Sequence, residues 1–300
     1  MKVLLMLSCA MILGSMAYAQ TQVSKSPLKV VDSIKNQKFE EDKDITDSRL
    51  KADSGSLSKY SLKFSLSYFG PPVGDLGNKY QPNPDGSIGV YATSLGGSIS
   101  GRYRLDSKAA VGVGTGISAL TPFHGVERTD IKTPFLSYDR NARWGDIQLR
   151  NSYGVSLTTI PNFKAVGQVG TLSYDNSWVY NFGSSGFAMG VDSGANLFIY
   201  ERGYGKKDGK ASRYLLGIYP QLKYNFSDKV NVYTSLAISL WNPRSIEDEM
   251  ALHNKTLSGR LGMGMAYSRD IYFAPYLNFY PENPKADTTT ISFSTIFSIL

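Results

Sequence analysis

Three observations predict an all-β chain that closes into a transmembrane, antiparallel up-and-down barrel. The first is alternation. In Thr288–Leu300, Ile291, Phe293, Phe297 and Ile299 share one parity, while Ser292, Ser294 and Ser298 share the other, with Ile296 the exception. Successive side chains of a strand point to opposite faces, so this stretch has an oily face and a hydroxylated one, and the pattern recurs through most of the chain. The second is an export signal at Met1–Ala19: Lys2, an apolar run from Val3 to Leu13, and Ala17-Tyr18-Ala19 as a small-x-small cleavage site, giving an expected mature start at Gln20. The third is composition. With 20 Tyr, 14 Phe, 29 Gly and 19% charged residues, and no later apolar run of the length a spanning helix needs, the chain can cross a membrane only with strands.

Cys9, the only cysteine, lies inside the export signal, so the mature chain is expected to hold no thiol, disulfide or cysteine metal site. Gln20–Ser58 differs in kind from the rest of the mature chain. It carries seven Lys/Arg and seven Asp/Glu with almost no aromatic residues, and is expected to be a polar periplasmic leader, disordered or partly helical. Ser26-Pro27 resembles a helix start, with Leu28, Val31 and Ile34 as a narrow stripe. The alternative is a segment that folds back into the lumen or holds a periplasmic partner.

The barrel is expected over residues 59–300. In Lys59–Gly70, Leu62, Phe64, Leu66 and Tyr68 oppose Ser61, Lys63, Ser65 and Ser67, and Pro71–Ser87 is a Pro- and Gly-rich loop. Ala92–Leu105 points Leu95, Ile99 and Tyr103 outward and Arg102 and Arg104 inward. After the Asp106-Ser107-Lys108 turn, Ala109–Ala119 sets Val111, Val113 and Ile117 against glycines. Gly145–Leu157 faces Leu149, Tyr153 and Val155 outward and Asp146, Gln148 and Arg150 inward. Gln168–Phe182 and Phe187–Glu201, joined by Gly183–Gly186, place Asp175 and Asp192 inward. Ala211–Phe226 puts Leu216, Ile218 and Leu222 opposite Arg213 and Lys223. Val230–Trp241, Lys255–Ser268, Ile271–Tyr280 and Thr288–Leu300 complete the set, with Arg260 inward.

Those are eleven strands, whereas single-chain bacterial barrels use an even number with both termini at the short-turn end. The missing strand is expected in Thr121–Trp144, at Thr133–Asn141, giving 12, with 14 or 10 as the alternatives. Pro220 and Pro275 fall inside expected strands and each removes a ladder donor, for which a bulge is the expected remedy.

The chain resembles a bacterial, Gram-negative outer-membrane β-barrel of the porin-like type over Lys59–Leu300; Leu300 departs from the aromatic residue with which such barrels usually end. The resemblance implies an outer-membrane location, contact with outer-membrane lipids and the barrel assembly machinery, and passive diffusion of small hydrophilic solutes. It admits a homo-oligomer and involves no nucleic acid and no cofactor. Net charge is +7. Inward parity collects Lys63, Arg102, Arg104, Arg150, Arg213, Lys223 and Arg260 against Asp146, Asp175 and Asp192, so ion transport favouring anions is expected. Tyr103, Tyr180, Phe182, Tyr224, Phe226 and Tyr267 cluster at the periplasmic strand ends as an aromatic girdle. The second reading is a closed structural or adhesive barrel that displays its loops. A lipid hydrolase ranks third, since His124 and His253 lie in expected loops with no catalytic serine motif beside them. No enzyme activity is expected, and no metal-ligand spacing occurs.

Overall fold

The computed structural model describes residues 37–202, 211–254 and 257–299. The export signal, the helix start at Ser26-Pro27, the charged Gly203–Lys210 loop and Leu300 lie outside the described residues.

Twelve strands form one closed antiparallel barrel. In chain order the strands are β1 (Tyr60–Pro72), β2 (Tyr80–Pro82), β3 (Ile88–Ala92), β4 (Ser94–Arg104), β5 (Ala109–Leu120), β6 (Arg128–Trp144), β7 (Ile147–Leu157) and β8 (Gln168–Asn181). The second half of the chain adds β9 (Phe187–Tyr200), β10 (Ser212–Asn225), β11 (Val230–Pro243), β12 (His253–Asn254), β13 (Ser258–Ser268), β14 (Ile271–Phe279) and β15 (Thr290–Ile299). Sequence neighbours pair around the wall, and β1 pairs with β15 to close it, with Lys63 opposite Ser298 and Phe64 opposite Phe297. The rings of Phe64 and Phe297 stack at 4.6 Å across this seam. Closure removes the open edges that a lipid environment cannot satisfy. β2 and β3 form a small hairpin in the first long loop, and β12 adds a two-residue extension to β11, so neither belongs to the twelve.

The expected twelfth strand exists as β6, longer than Thr133–Asn141 at both ends. Pairing with β5 slips by one residue between Thr115↔Pro134 and Ile117↔Ile131. That bulge breaks the alternation, so Arg128–Lys132 reads as loop in the sequence. Pro220 and Pro275 need no bulge. Pro220 pairs with Val191, while pairing to β11 stops at Ile218↔Ile238 and resumes in the same register at Gln221↔Ser235. Pro275 likewise pairs with Phe293, and β13–β14 pairing keeps its register from Gly262↔Tyr276 to Met265↔Phe273. Two residue pairs drop out of the ladder at each proline, on one side only.

The faces follow parity. Leu62, Val113, Leu172, Leu197, Ile218, Leu222 and Leu261 are exposed on the outside, while Ser61, Lys63, Ser100, Arg102, Arg104 and Lys223 are buried within. Ile218→Arg, near the middle of β10, is expected to lower folding stability by about 2–4 kcal/mol, the range for Arg at the bilayer midplane. Urea titrations of folding into lipid vesicles check it; an unchanged midpoint would mean that this face does not meet lipid.

Candidate functional site: a plugged lumen

The short-turn end of the lumen is filled by the chain's own N-terminal segment. Residues 38–58 enter the barrel as extended chain around one short helix, α1 (Ser48–Asp53). Lys38 bridges to Ser58, bringing the two ends of the segment together. Over these residues Asp44, Asp47, Arg49 and Asp53 meet opposite charges of the barrel, Lys51 pairs with Glu41 within the segment, and Ile45, Leu50 and Ala52 meet apolar wall positions.

Asp47 caps α1, accepting from the backbone N–H groups of Arg49 and Leu50 at 3.1 Å each. Its other carboxylate oxygen pairs with Lys223. The Gln148 side-chain oxygen accepts from the Thr46 and Asp47 N–H groups at 2.6 and 2.9 Å. Arg49 forms a two-pronged pair with Asp192 at 2.7 and 2.5 Å. Lys63 donates to the Asp53 carbonyl at 2.6 Å and to its carboxylate at 3.2 Å.

Beyond the helix, three guanidinium groups grip three consecutive carbonyls. Arg102 donates to Ser54 O at 2.7 Å. Arg104 donates to Ser54 O at 2.6 Å, Gly55 O at 3.1 Å and Ser56 O at 2.8 Å. Arg269 donates to Gly55 O at 2.6 Å. These carbonyls sit at the negative end of α1, where cations are favoured, and charge-assisted bonds to them are about twice as strong as neutral ones. Gly55 has φ +69°, a conformation that favours glycine, and a Cβ there would push the Arg102 guanidinium from its place.

The apolar residues of the segment complete the seal. Ile45 and Leu50 pack with Val179 and Ala188, and Ala52 packs with Ala266, Tyr272 and Ala274, against which Tyr233 and Ile296 also lie. Leu50 and Ala52 are fully buried, and the wall residues Gln148 and Asn231 are each 1% exposed.

Burial pushes the Asp53 carboxyl up, but Lys63, Arg150 and Arg49 overcome it and hold it at about 2. Burial acts on Asp47 as well, and Lys223 and Arg49 hold it below the ordinary carboxylate value. A depressed carboxylate contributes to docking above its free value, and that contribution is lost as pH falls through the docked one. The plug is therefore expected to stay seated from pH 7 down to about 4, near the free carboxylate value, and to loosen as pH approaches 2. Protease cleavage within α1 at pH 7 and pH 4.5 checks this: equal, slow cleavage is expected.

The sequence-derived site residues fall into several groups. Lys63, Arg102, Arg104 and Lys223 hold the plug. Arg150 pairs with Asp139 at 2.6 Å, and Arg102 reaches the same carboxylate at 3.0 Å. Asp175 lines a lumen cavity of about 200 Å³ beside Arg150 and Asp139, and Asp192 holds Arg49. Arg213 lies at the long-loop end, bonded to Asn242 and to the Pro243 and Ile246 carbonyls. Arg260 lines a second cavity above the plug. Asp146 does not face the lumen. It sits with Gly145, φ +57°, in the turn between β6 and β7, its side chain 76% exposed and 3.8 Å from Arg143.

Asp139, Arg269 and the plug residues Asp47, Arg49, Asp53 and Gly55 were not among the sequence-derived site residues. Asp139 lies in the expected strand Thr133–Asn141, to which no face was assigned, and Arg269 in a turn. His124 bonds Leu76 O at 3.0 Å and His253 lies against Trp241, both at the long-loop end. Among the described residues no group of three or more His, Cys, Asp and Glu could hold a metal.

Around the outside of the short-turn end, Tyr103, Tyr180, Phe182, Tyr224, Phe226 and Tyr267 are joined by Tyr60 and Phe187. Contacts of 5.2 Å for Tyr60–Tyr103, 5.0 Å for Tyr180–Phe182 and 4.8 Å for Phe187–Tyr224 join them in separate small groups, and Tyr267 is exposed. An apolar outer belt, aromatic residues at its rim, a charged interior and a wall without edges satisfy what lipid demands of a spanning protein. The chain is a closed antiparallel β-barrel of twelve strands, of the kind that crosses a membrane with strands.

No protein-family model matches the sequence, and no curated protein matches it. Among solved structures, the barrel is similar to an outer-membrane channel from Pseudomonas putida F1, with 10% identity over 82% of this chain and 98% of that one and a TM-score of 0.49. It is similar to the NanC porin, with 5% identity over 80% and 100% of the two chains and a TM-score of 0.43. It is also similar to the outer membrane protein Omp33 of Acinetobacter baumannii, with 12% identity over 80% and 98% and a TM-score of 0.37.

Proposed function

We propose that the barrel is a channel for small hydrophilic solutes, that it favours anions, and that residues 38–58 stopper it. The observation that carries this reading is how the short-turn end is filled. A barrel built to be solid fills its interior with side chains from its own strands. Here the wall contributes small inward residues, Ala188, Ala266 and Ala274, and a separate segment occupies the space they leave. The space is therefore a passage with a stopper in it. Short turns face the periplasm in barrels of this kind, so the stopper sits at the periplasmic mouth. Charge supports the anion preference: Arg104 and Arg269 meet carbonyls of the plug, and Arg260 meets a tyrosine ring.

The whole protein in planar bilayers is expected to show small or rarely open conductance, with reversal potentials across a potassium chloride gradient on the anion side. Cation selectivity would refute the charge argument. A barrel that stays closed even without residues 38–58 would favour the second reading, a structural barrel displaying its loops. The proposal involves no catalysis; hydrolysis of phospholipid or lipid A by the refolded protein would overturn it.

A further inference from the structure

Above the plug lies a cavity of about 320 Å³, room for roughly ten waters at about 30 Å³ each. Arg49 lies at its boundary on the plug side, and Tyr219, Tyr233, Tyr272 and Tyr276 line its sides with Arg260 among them. Two glycines of β13 make this arrangement fit. A Cβ on Gly262 would stand 2.7 Å from Tyr276 Cβ and 2.8 Å from Tyr233 Cζ, and one on Gly264 would stand 2.6 Å from Asn231 Oδ1. The inward face of β13 is thus left bare so that side chains of the two neighbouring strands can lie across it, with Arg260 standing at its end.

Arg260 is the exception among the seven inward basic residues. Each of the others gives its charge to a carboxylate, a carbonyl or an amide oxygen. Among the described residues the Arg260 guanidinium makes no ion pair; it lies 5.2 Å from the centre of the Tyr276 ring, and its Nε is buried without a hydrogen-bond partner. A buried donor without an acceptor is costly unless something supplies one, and a guanidinium fork matches a carboxylate two bonds at a time.

We propose that this cavity binds a small hydroxylated organic carboxylate, with the acid group on Arg260 and the body between the tyrosine faces. Tyrosine rings offer flat apolar surface with a polar tip. Gln221, Asn231 and Ser235 bring amide and hydroxyl groups to the same space for the solute's own hydroxyls. The site rests on the reading of the lumen as a solute path, and it gives that path a preferred solute class.

The test is calorimetric titration of the refolded whole chain with para-hydroxybenzoate and with its uncharged analogue para-hydroxybenzamide. The acid is expected to bind at least tenfold more tightly than the amide. Arg260→Gln should erase the difference and Arg260→Lys should keep part of it, with folding checked by the heat-dependent gel shift. Equal affinities in the unaltered protein, or a preference for the acid that survives Arg260→Gln, would overturn the proposal. The comparison of acid and amide in the unaltered protein decides even if Arg260→Gln does not fold. Because binding is read without conductance, a barrel that binds but never conducts would sink the channel and leave the site. One that conducts without the preference would sink only the site.

Discussion

A chain that starts at Lys59 is expected to fold into the same barrel and to conduct ions several-fold better than the whole protein. The wall does not depend on the plug for its own pairing: β1 begins at Tyr60 and closes on β15 and β4 through residues that the truncation leaves in place. What the plug supplies is volume and charge at one mouth. Removing it opens the space that Leu50, Ala52 and Ile45 fill against small wall residues. It also frees Lys63, Lys223, Arg102, Arg104 and Arg269 from the plug atoms they hold. Water enters at the same time, so these cations are hydrated rather than stranded, and the barrel tolerates the loss. Since the freed groups outnumber Asp192, which loses Arg49, the truncated channel should also be more anion-selective than the whole one. Planar-bilayer recordings measure both effects, and the gel shift on heating reports folding. Unchanged conductance would show that the plug does not seal the lumen, and failure to fold would show that it braces the wall.

Most of the barrel was legible in the sequence because lipid imposes a rule. Most outward positions in the belt are apolar, so parity assigns most faces, as at Leu62/Lys63 and Leu222/Lys223; the bonded pair Asn151 and Asn176 is a polar exception on the outward face. The reading failed where a local irregularity broke the period. The bulge opposite Thr115–Ile117 hid the first part of β6, and Asp139, inside the expected Thr133–Asn141, was given no face. Asp146 was misplaced by two residues of turn, because a strand end and a tight turn look alike when the turn begins with glycine.

The plug was harder to see, and for a different reason. A segment that docks by ion pairs and by its backbone needs no hydrophobic period, so residues 38–58 look like a solvated tail in composition. The arginine clamp binds carbonyls, which every residue has. One signal was present. Val179, Ala188, Ala266 and Ile296 break the polar inward pattern near the short-turn ends of four strands, and all four meet the plug or the cluster around it. Apolar inward residues on separate strands at one depth mark a place where the lumen is dry. Ile296 had already stood out as the exception in the last strand.

The second large effect is expected at Asp47. Its pair with Lys223 is the most enclosed in the lumen, with side chains 3% and 8% exposed. Asp47→Asn isolates the charge, because asparagine caps a helix about as well as aspartate and keeps the bonds to the Arg49 and Leu50 N–H groups. Lys223 then remains buried without an anion, which costs about 3–5 kcal/mol in pairs of this kind. Docking of the plug should weaken correspondingly, by roughly two to three and a half orders of magnitude. Protease cleavage within α1 and the open probability in bilayers should both rise. Pairing the change with Lys223→Met removes the stranded charge and should recover much of the docking, so the two substitutions should be strongly non-additive. Asp44→Asn is the comparison. Asp44 pairs with Lys108 where the side chains are 33% and 45% exposed, and an exposed pair of that kind is screened by solvent. It should change little. If Asp47→Asn were no more disruptive than Asp44→Asn, the buried pair would not be what holds the plug, and the grip would have to lie with the three arginines on the carbonyls of Ser54, Gly55 and Ser56.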